Sequence, residues 1–343
     1  MKHFQTTLVA LLFSSTVFAQ NDRDQPYRTQ NFSGNINTVR VQTSGGSITV
    51  EGGQGSGAKV EMFVRANNWN DKLDKAEIED RLKDYEVTIA TEGNTVVASA
   101  KRVRDQNDWK RSLSISFKVY SPKAVTTDLK TSGGSIHIAH LNGQQNFSTS
   151  GGSLHLTDVE GTVKGRTSGG SITAEDCRKN IELTTSGGSI TARNSSGDLR
   201  LRTSGGSIKL DDLKGQIEAR TSGGSITAEN INGTLNTGTS GGSIRLRDIA
   251  GSIRAETSGG GIEADITQLG EYVRLSTSAG SVRVRMPMNK GMNLDLSGNR
   301  VSTGSLSKFD GSMERDRVKG QLNGGGIPVQ ISANSGSVYL NQN

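Results

Sequence analysis

One cysteine, four prolines and an aromatic share of 4% in 343 residues leave this chain without several common ways of building a fold. The single Cys177 excludes an intramolecular disulfide framework. The scarcity of proline, with no three-residue glycine period, excludes collagen and polyproline architectures. No apolar run approaches the roughly 20 residues that a membrane-crossing helix requires. The net charge of +6 is spread along the chain. It forms no block of one sign, so the clustered basic face of a nucleic-acid binder is absent.

What the chain has is glycine, 44 residues of it, and small or β-branched residues in place of aromatics. At the N-terminus Lys2, then the apolar Leu8 to Phe13, then Val17-Phe18-Ala19 follow the pattern of a secretory signal, which predicts a mature chain starting near Gln20. The expected location is outside the cytoplasm: periplasm, outer-membrane surface or extracellular.

The hexapeptide Thr-Ser-Gly-Gly-Ser-Ile starts at Thr43, Thr131, Thr167, Thr185, Thr203, Thr221 and Thr239, with close variants at Thr149, Thr257 and Thr277. From Thr131 to Thr257 the interval is 18 residues every time. Such a fixed period is the mark of a stacked repeat. Within the unit Thr203 to Arg220, Ile208 and Leu210 alternate with polar residues, as do Ile217 and Ala219. That predicts two short strands joined by a turn at Asp212 to Gly215. Paired glycines, Gly205 and Gly206, are expected to turn the chain by adopting positive φ.

Equivalent positions match from unit to unit: Ile172, Ile190, Ile208, Ile226 and Ile244 in one row, Ile181, Leu199, Ile217, Leu235 and Ile253 in another. In-register stacking of parallel strands, about 4.8 Å apart, accounts for this. Outward rows such as Lys164, Glu182, Arg200, Glu218 mostly alternate in sign, so that face is expected to be self-satisfied and disfavoured as a binding surface for a highly charged ligand. The fold class that follows is all-β: a single-stranded β-solenoid (a parallel β-helix) of 18 residues per coil, expected to be right-handed, with a decorated N-terminal cap containing one short helix. The helix is predicted over Asn70 to Tyr85 with Asn70 or Asp71 as its cap, and a hairpin about Glu92-Gly93-Asn94. The expected organisation is a signal over 1–19, a flexible linker over 20–34 and a solenoid start with its cap over 35–130. Regular repeats follow over 131–286, then final coils and a cap over 287–343.

The run FKVYSPKAVTTDLKTSGGSI, rungs of the form S-G-G-S-I-x-A/L, and the closing LNGGGIPVQISANSGSVYL resemble the bacterial putative-adhesin family of β-strand-repeat proteins, across about residues 35–340. The resemblance implies an exported β-solenoid of the bacterial envelope. That family has no agreed catalytic residues.

No phosphate loop, nucleophile motif or redox motif appears. His137 and His155 are expected to stack 18 residues apart facing outward, with His140 at the next turn, but nothing beside them completes a metal site. Asp158, Asp176, Asn194, Asp212, Asn230 and Asp248 are expected to open turns rather than bind calcium. Cys177 reads as a small buried hydrophobe. The threonines sit in the inward phase, unlike the outward Thr-x-Thr rows of ice-binding solenoids. No catalytic residue, metal or cofactor is expected. The predicted function is a non-catalytic structural, adhesion or binding module, a monomer whose partner is an envelope or extracellular glycan or protein and not nucleic acid. The alternative is a glycan-acting enzyme with its site in 50–130 or the C-terminal tail. Trp69 and Trp109, with Arg102, Arg104, Lys110 and Arg111 around the second, are the candidate partner contact, against a role in capping the apolar end.

Overall fold

A computed structural model describes residues 25–67, 73–103 and 111–342. The protein is all-β. Strands β1 (Arg28–Phe32), β2 (Thr38–Thr43), β3 (Ile48–Gly52) and β4 (Ala58–Ala66) precede α1 (Lys75–Leu82), and β5 (Tyr85–Glu92), β6 (Thr95–Arg102) and β7 (Leu113–Ser121) follow it. The repeat region runs through β8 (Thr126–Thr131), β9 (Ile136–Thr149), β10 (Leu154–Thr167), β11 (Ile172–Glu175), β12 (Arg178–Thr185), β13 (Ile190–Thr203), β14 (Ile208–Thr221), β15 (Ile226–Thr239), β16 (Ile244–Thr257) and β17 (Ile262–Thr277). The chain ends with β18 (Val282–Met286), β19 (Met292–Thr303), β20 (Phe309–Met313), β21 (Arg317–Leu322) and β22 (Ile327–Gln342).

Consecutive repeat strands pair in parallel. Ile208 lies opposite Ile226, Leu210 opposite Ala228 and Ile217 opposite Leu235. The offset is the hexapeptide interval, and it holds from β9 and β10 onward. It lengthens only between β16 and β17, where Thr257 meets Thr277 across a bulged ladder. Ile208, Leu210, Leu213, Ile217 and Ala219 are buried, each stacked on its counterpart above and below.

Two local expectations change. Most units, such as Ile208–Thr221, are one 14-residue strand rather than two, whereas the unit at Ile172 keeps two, Ile172–Glu175 and Arg178–Thr185. In the former, Asp212, at φ 52, and Gly215, at φ 122, bend the strand without ending it. Ladder pairing continues on both sides of the bend and passes over only the left-handed residue, Asp212, itself. Second, the Gly205–Gly206 pair does not take positive φ, which falls instead on the Asx row and on the glycine three residues after it. The hexapeptide glycines are there for closeness. A Cβ on Gly206 would stand 2.1 Å from the carbonyl oxygen of Gly188 in the preceding unit, whereas one on Gly205 would meet Gly187 O at 3.4 Å. Ala279 occupies the place of Gly205 in the last hexapeptide, while Gly280 keeps the place of Gly206.

The threonine that opens each hexapeptide ties this turn down. Thr203 Oγ1 donates to Gly188 O at 2.7 Å and accepts from Gly206 N at 3.3 Å, and the same pair of bonds recurs at Thr221 and Thr239.

At the ends, sequence order and stacking order part. Strands β2 and β3 lie between β6–β7 on one side and β8–β9 on the other. Beyond them β5 pairs antiparallel with β6, and β4 with β7. Residues 28–32, expected in a flexible linker, form β1 along the otherwise unpaired side of β4, with Phe32 packed on the core. At the other end β22 inserts between β17–β18 and β19, so the last strand is not the outermost. Antiparallel β21 and β20 close that end. The hairpin forms at Gly93, with φ 59. The helix is shorter than expected and capped by Asp74, whose carboxylate accepts from Glu77 N at 2.8 Å. Asn70 and Asp71, the expected caps, lie outside the described residues.

Two contrasts test this account. Gly206→Ala forces the facing backbones apart and should cost about 2 kcal/mol or more, and Gly205→Ala less than about 1 kcal/mol. Equal melting temperatures for the two variants would exclude close approach as the reason for the pair. Likewise Thr203→Val leaves two part-buried backbone groups, Gly188 O and Gly206 N, without this partner and should destabilise by about 1 kcal/mol. Thr237 is fully buried and its hydroxyl has no partner among the described residues, so Thr237→Val should be neutral or stabilising in the same denaturant titration.

Candidate binding site

Each hexapeptide, except the one at Thr257 where Gly261 takes the second place, carries two serines with different fates. The second is structural: Ser189 Oγ accepts from Ser207 N at 3.2 Å, and Ser207 Oγ from Ser225 N at 3.2 Å. The first serves the ladder only through its backbone, as when Gly205 N donates to Ser186 O at 2.9 Å. The hydroxyls of Ser204, Ser222, Ser240 and Ser258 are exposed and have no hydrogen-bond partner among the described residues. They form a row of free donors and acceptors one strand spacing apart, about 4.8 Å.

That row is one wall of an open trough of about 670 Å³ running from Thr184 to Ser278. The other wall is formed by the residue before each threonine: Arg202, Arg220, Gly238 and Glu256. A second hollow of about 440 Å³, lined by Arg254, Arg274, Gln330 and Asp295, shares Glu256 and Ser276 with the first and continues it towards the C-terminal end.

Arg220 sits at the centre. Its Nε donates to Glu218 Oε1 at 3.1 Å and its Nη2 to Asn236 Oδ1 at 3.3 Å. A Cβ on Gly238 would stand 2.8 Å from Nη1, so the guanidinium lies over the bare backbone of the next unit and buries it. Glu218 also accepts from Arg202 Nη2 at 2.8 Å. The hydrogen bond from Arg202, and then that from Arg220, holds its carboxyl below the usual range, so it stays ionised. Two guanidiniums thus share one carboxylate. This corrects the expectation of a self-satisfied surface. The Lys164, Glu182, Arg200, Glu218 row does alternate, but the adjacent row sets Arg166, Arg202 and Arg220 against the single acid Glu256 and tips the face to positive. Reading that second row in the sequence would have disclosed it.

The sequence-predicted contact residues are only partly on view. Trp69, Trp109, Arg104 and Lys110 lie outside the described residues. Arg102 Nη1 donates to Ser112 Oγ at 3.0 Å, and Arg111 Nη2 to Asp80 Oδ2 on α1 at 2.9 Å. Both join the helix and its flanking strands at the N-terminal end, and neither lines the trough. Cys177 is fully buried and burial pushes its thiol up to about 11, so it carries no thiolate at neutral pH. The Asx row adopts left-handed φ and shapes the bend. His140 Nδ1 meets Asp158 Oδ2 at 3.1 Å, and Arg178 Nη1 meets the same carboxylate at 3.3 Å.

His137 and His155 stack with ring centroids 4.5 Å apart and an interplanar angle of 5°. Among the described residues no group of three metal-ligating side chains occurs. Desolvation, and then the neighbouring His155, hold His137 below the ordinary 6.5. The unfolded chain therefore binds the proton more readily, and stability falls as pH drops below that value. Thr49 and Thr173 occupy the same outward row. His137→Thr should reduce the loss of thermal stability between neutral pH and pH values below 6.5. Identical acid profiles for variant and parent would remove the pair as its source.

No family model matches the chain, and no curated protein matches it by sequence. In structure it is similar to a putative adhesin from Parabacteroides distasonis, at 10% identity and TM-score 0.36, over 94% of this chain and 98% of that one. A putative adhesin from Parabacteroides merdae gives 13% identity and TM-score 0.33, over 91% and 95%. A putative cell adhesion protein from Clostridium sporogenes gives 12% and 0.19, over 93% and 100%. These descriptions match the family that the sequence resembles. With superposition this loose, what the chain does has to be read from its own geometry.

Proposed function

We propose that the chain is an exported, non-catalytic binding module of the bacterial cell envelope. It is a right-handed β-solenoid of 18-residue coils that acts as a monomer and engages an external ligand along the trough. The constant register offset supports the solenoid, and the Lys2 to Ala19 pattern supports export to the periplasm, the outer-membrane surface or beyond. The observation that carries the binding function is the trough itself. It joins a row of free hydroxyls to a row of guanidiniums on a scaffold whose spacing is fixed by its backbone. An open, solvated surface of this kind suits an extended ligand rather than a small enclosed substrate. The free hydroxyls are unactivated: no histidine lines the trough, and the one thiol is buried. Trp69 and Trp109, beside Arg102, Arg104, Lys110 and Arg111, are proposed as a second contact of the same module.

The test is binding of the mature chain to envelope fractions and a glycan panel, with release of reducing ends measured on the same panel. Retention without release is the expected result, and Ser222→Ala with Ser240→Ala should weaken it severalfold at an unchanged melting temperature. Release of reducing ends would replace this reading with catalysis. Binding indifferent to the serine pair would remove the trough.

A further inference from the structure

We infer that the trough takes a linear acidic polysaccharide, with one of its carboxylates on Arg220. This rests on the binding-module reading above and names its ligand. The guanidinium is already placed before any ligand arrives. Glu218 and Asn236 hold two of its nitrogens, and Gly238 lets it lie against the sheet. Its Nη1 has no acceptor among the described residues, which leaves one planar edge to offer. A guanidinium held this way loses little freedom on pairing with a carboxylate, and such charge-assisted pairs are among the stronger hydrogen bonds at a wet surface. Ser222 and Ser240 present free hydroxyls within the same trough, the complement to a sugar's own hydroxyls.

Charge points the same way. Arg202 and Arg220 share Glu218 as their carboxylate, and farther along Arg274 lies over the ring of Tyr272 at 5.1 Å rather than on an acid. Glu256 on the trough wall is already paired with Arg254, so a polyanion is drawn to the remaining guanidiniums of the trough. The spacing favours a polymer. Hydroxyls recur along the trough at each strand step, and the second hollow extends the path beyond Ser276. Many modest contacts on a rigid row suit a ligand that is itself a repeat.

Polygalacturonate and its fully methyl-esterified form separate the possibilities, since the chain is the same and only the charge differs. Calorimetry on the mature chain should show binding of the acid form, weakened by salt, and at least about tenfold weaker binding of the ester. Arg220→Gln should lose about as much. Gly238→Ala keeps every charge. The only atom its methyl group meets closely is Nη1 at the far end of the Arg220 side chain, so the fold should survive while the guanidinium is lifted and affinity falls. Arg283→Gln, on another face where the guanidinium lies 5.3 Å from the Tyr339 ring, should leave binding unchanged. Equal affinity for acid and ester overturns the acidic ligand but leaves a binding module standing. So does an affinity untouched by Gly238→Ala or reduced equally by Arg283→Gln. Failure to retain any glycan or envelope fraction removes the module reading itself.

Discussion

The approach of one repeat's backbone to the next, as close as a hydrogen atom in place of a side chain allows, is the constraint on which the remaining structure depends. At Gly206 there is no room for a methyl group against Gly188 O. The same close approach recurs at Gly188, Gly224 and Gly242. Once these turns stack directly, Gly205 N reaches Ser186 O and Ile208 N reaches Ser225 O, while Gly206 N and Ser207 N between them bond the hydroxyls of Thr203 and Ser189. Thr203 then crosses between units with its hydroxyl. Where the interval lengthens, between Thr257 and Thr277, a bulged ladder absorbs the extra residues and Thr277 Oγ1 still reaches Gly260 O at 2.7 Å. Vertical bonding at the turn is thus kept even where the interval is not.

A stack bonded this way has two exposed ends, and parallel strand edges invite further strands. Both ends meet the problem by the same route. The terminal repeat, β2–β3 at one end and β22 at the other, is taken inside, and a segment adjoining it in sequence folds over as the outer layer. Antiparallel strands then finish the sheet: β5, β4 and β1 at one end, β21 and β20 at the other. Reversal of strand direction breaks the repeat's register. A second copy of the hexapeptide turn has nothing equivalent to stack upon there.

The inward face was legible from residues alone. Ile208, Leu210 and Ile217 alternate in the strand period, their counterparts recur at one interval, and burial follows. The stacked imidazoles at His137 and His155 followed from the same interval. Three features were not legible, each for a physical reason. Which strand lies above which at the ends depends on long-range closure, about which the alternation in β6 or β22 carries no information. The role of Gly206 was misread because glycine serves both positive φ and close approach, and sequence does not separate the two. The bend at Asp212 keeps its ladder because neighbouring units bend identically, a property of the stack and not of the unit. The trough was missed because one outward row was weighed without its neighbour, although Arg202 and Arg220 stood in plain sequence.

A rigid repeat also decides what kind of recognition is available. The fixed sequence interval leaves no long loops in the region of Thr131 to Thr257, so specificity has to come from single substitutions in an otherwise uniform row. Gly238 is such a substitution. Where neighbouring units carry Arg202, Arg220 or Glu256, it removes the side chain altogether and the preceding arginine settles into the gap. The scaffold supplies spacing and the irregularity supplies a fixed cation. The order of a binding row lowers the cost of immobilising each contact, because the groups are already held by a sheet that does not reorganise. Affinity in such a protein should therefore grow with the length of ligand engaged, while selectivity resides where the repeat departs from itself.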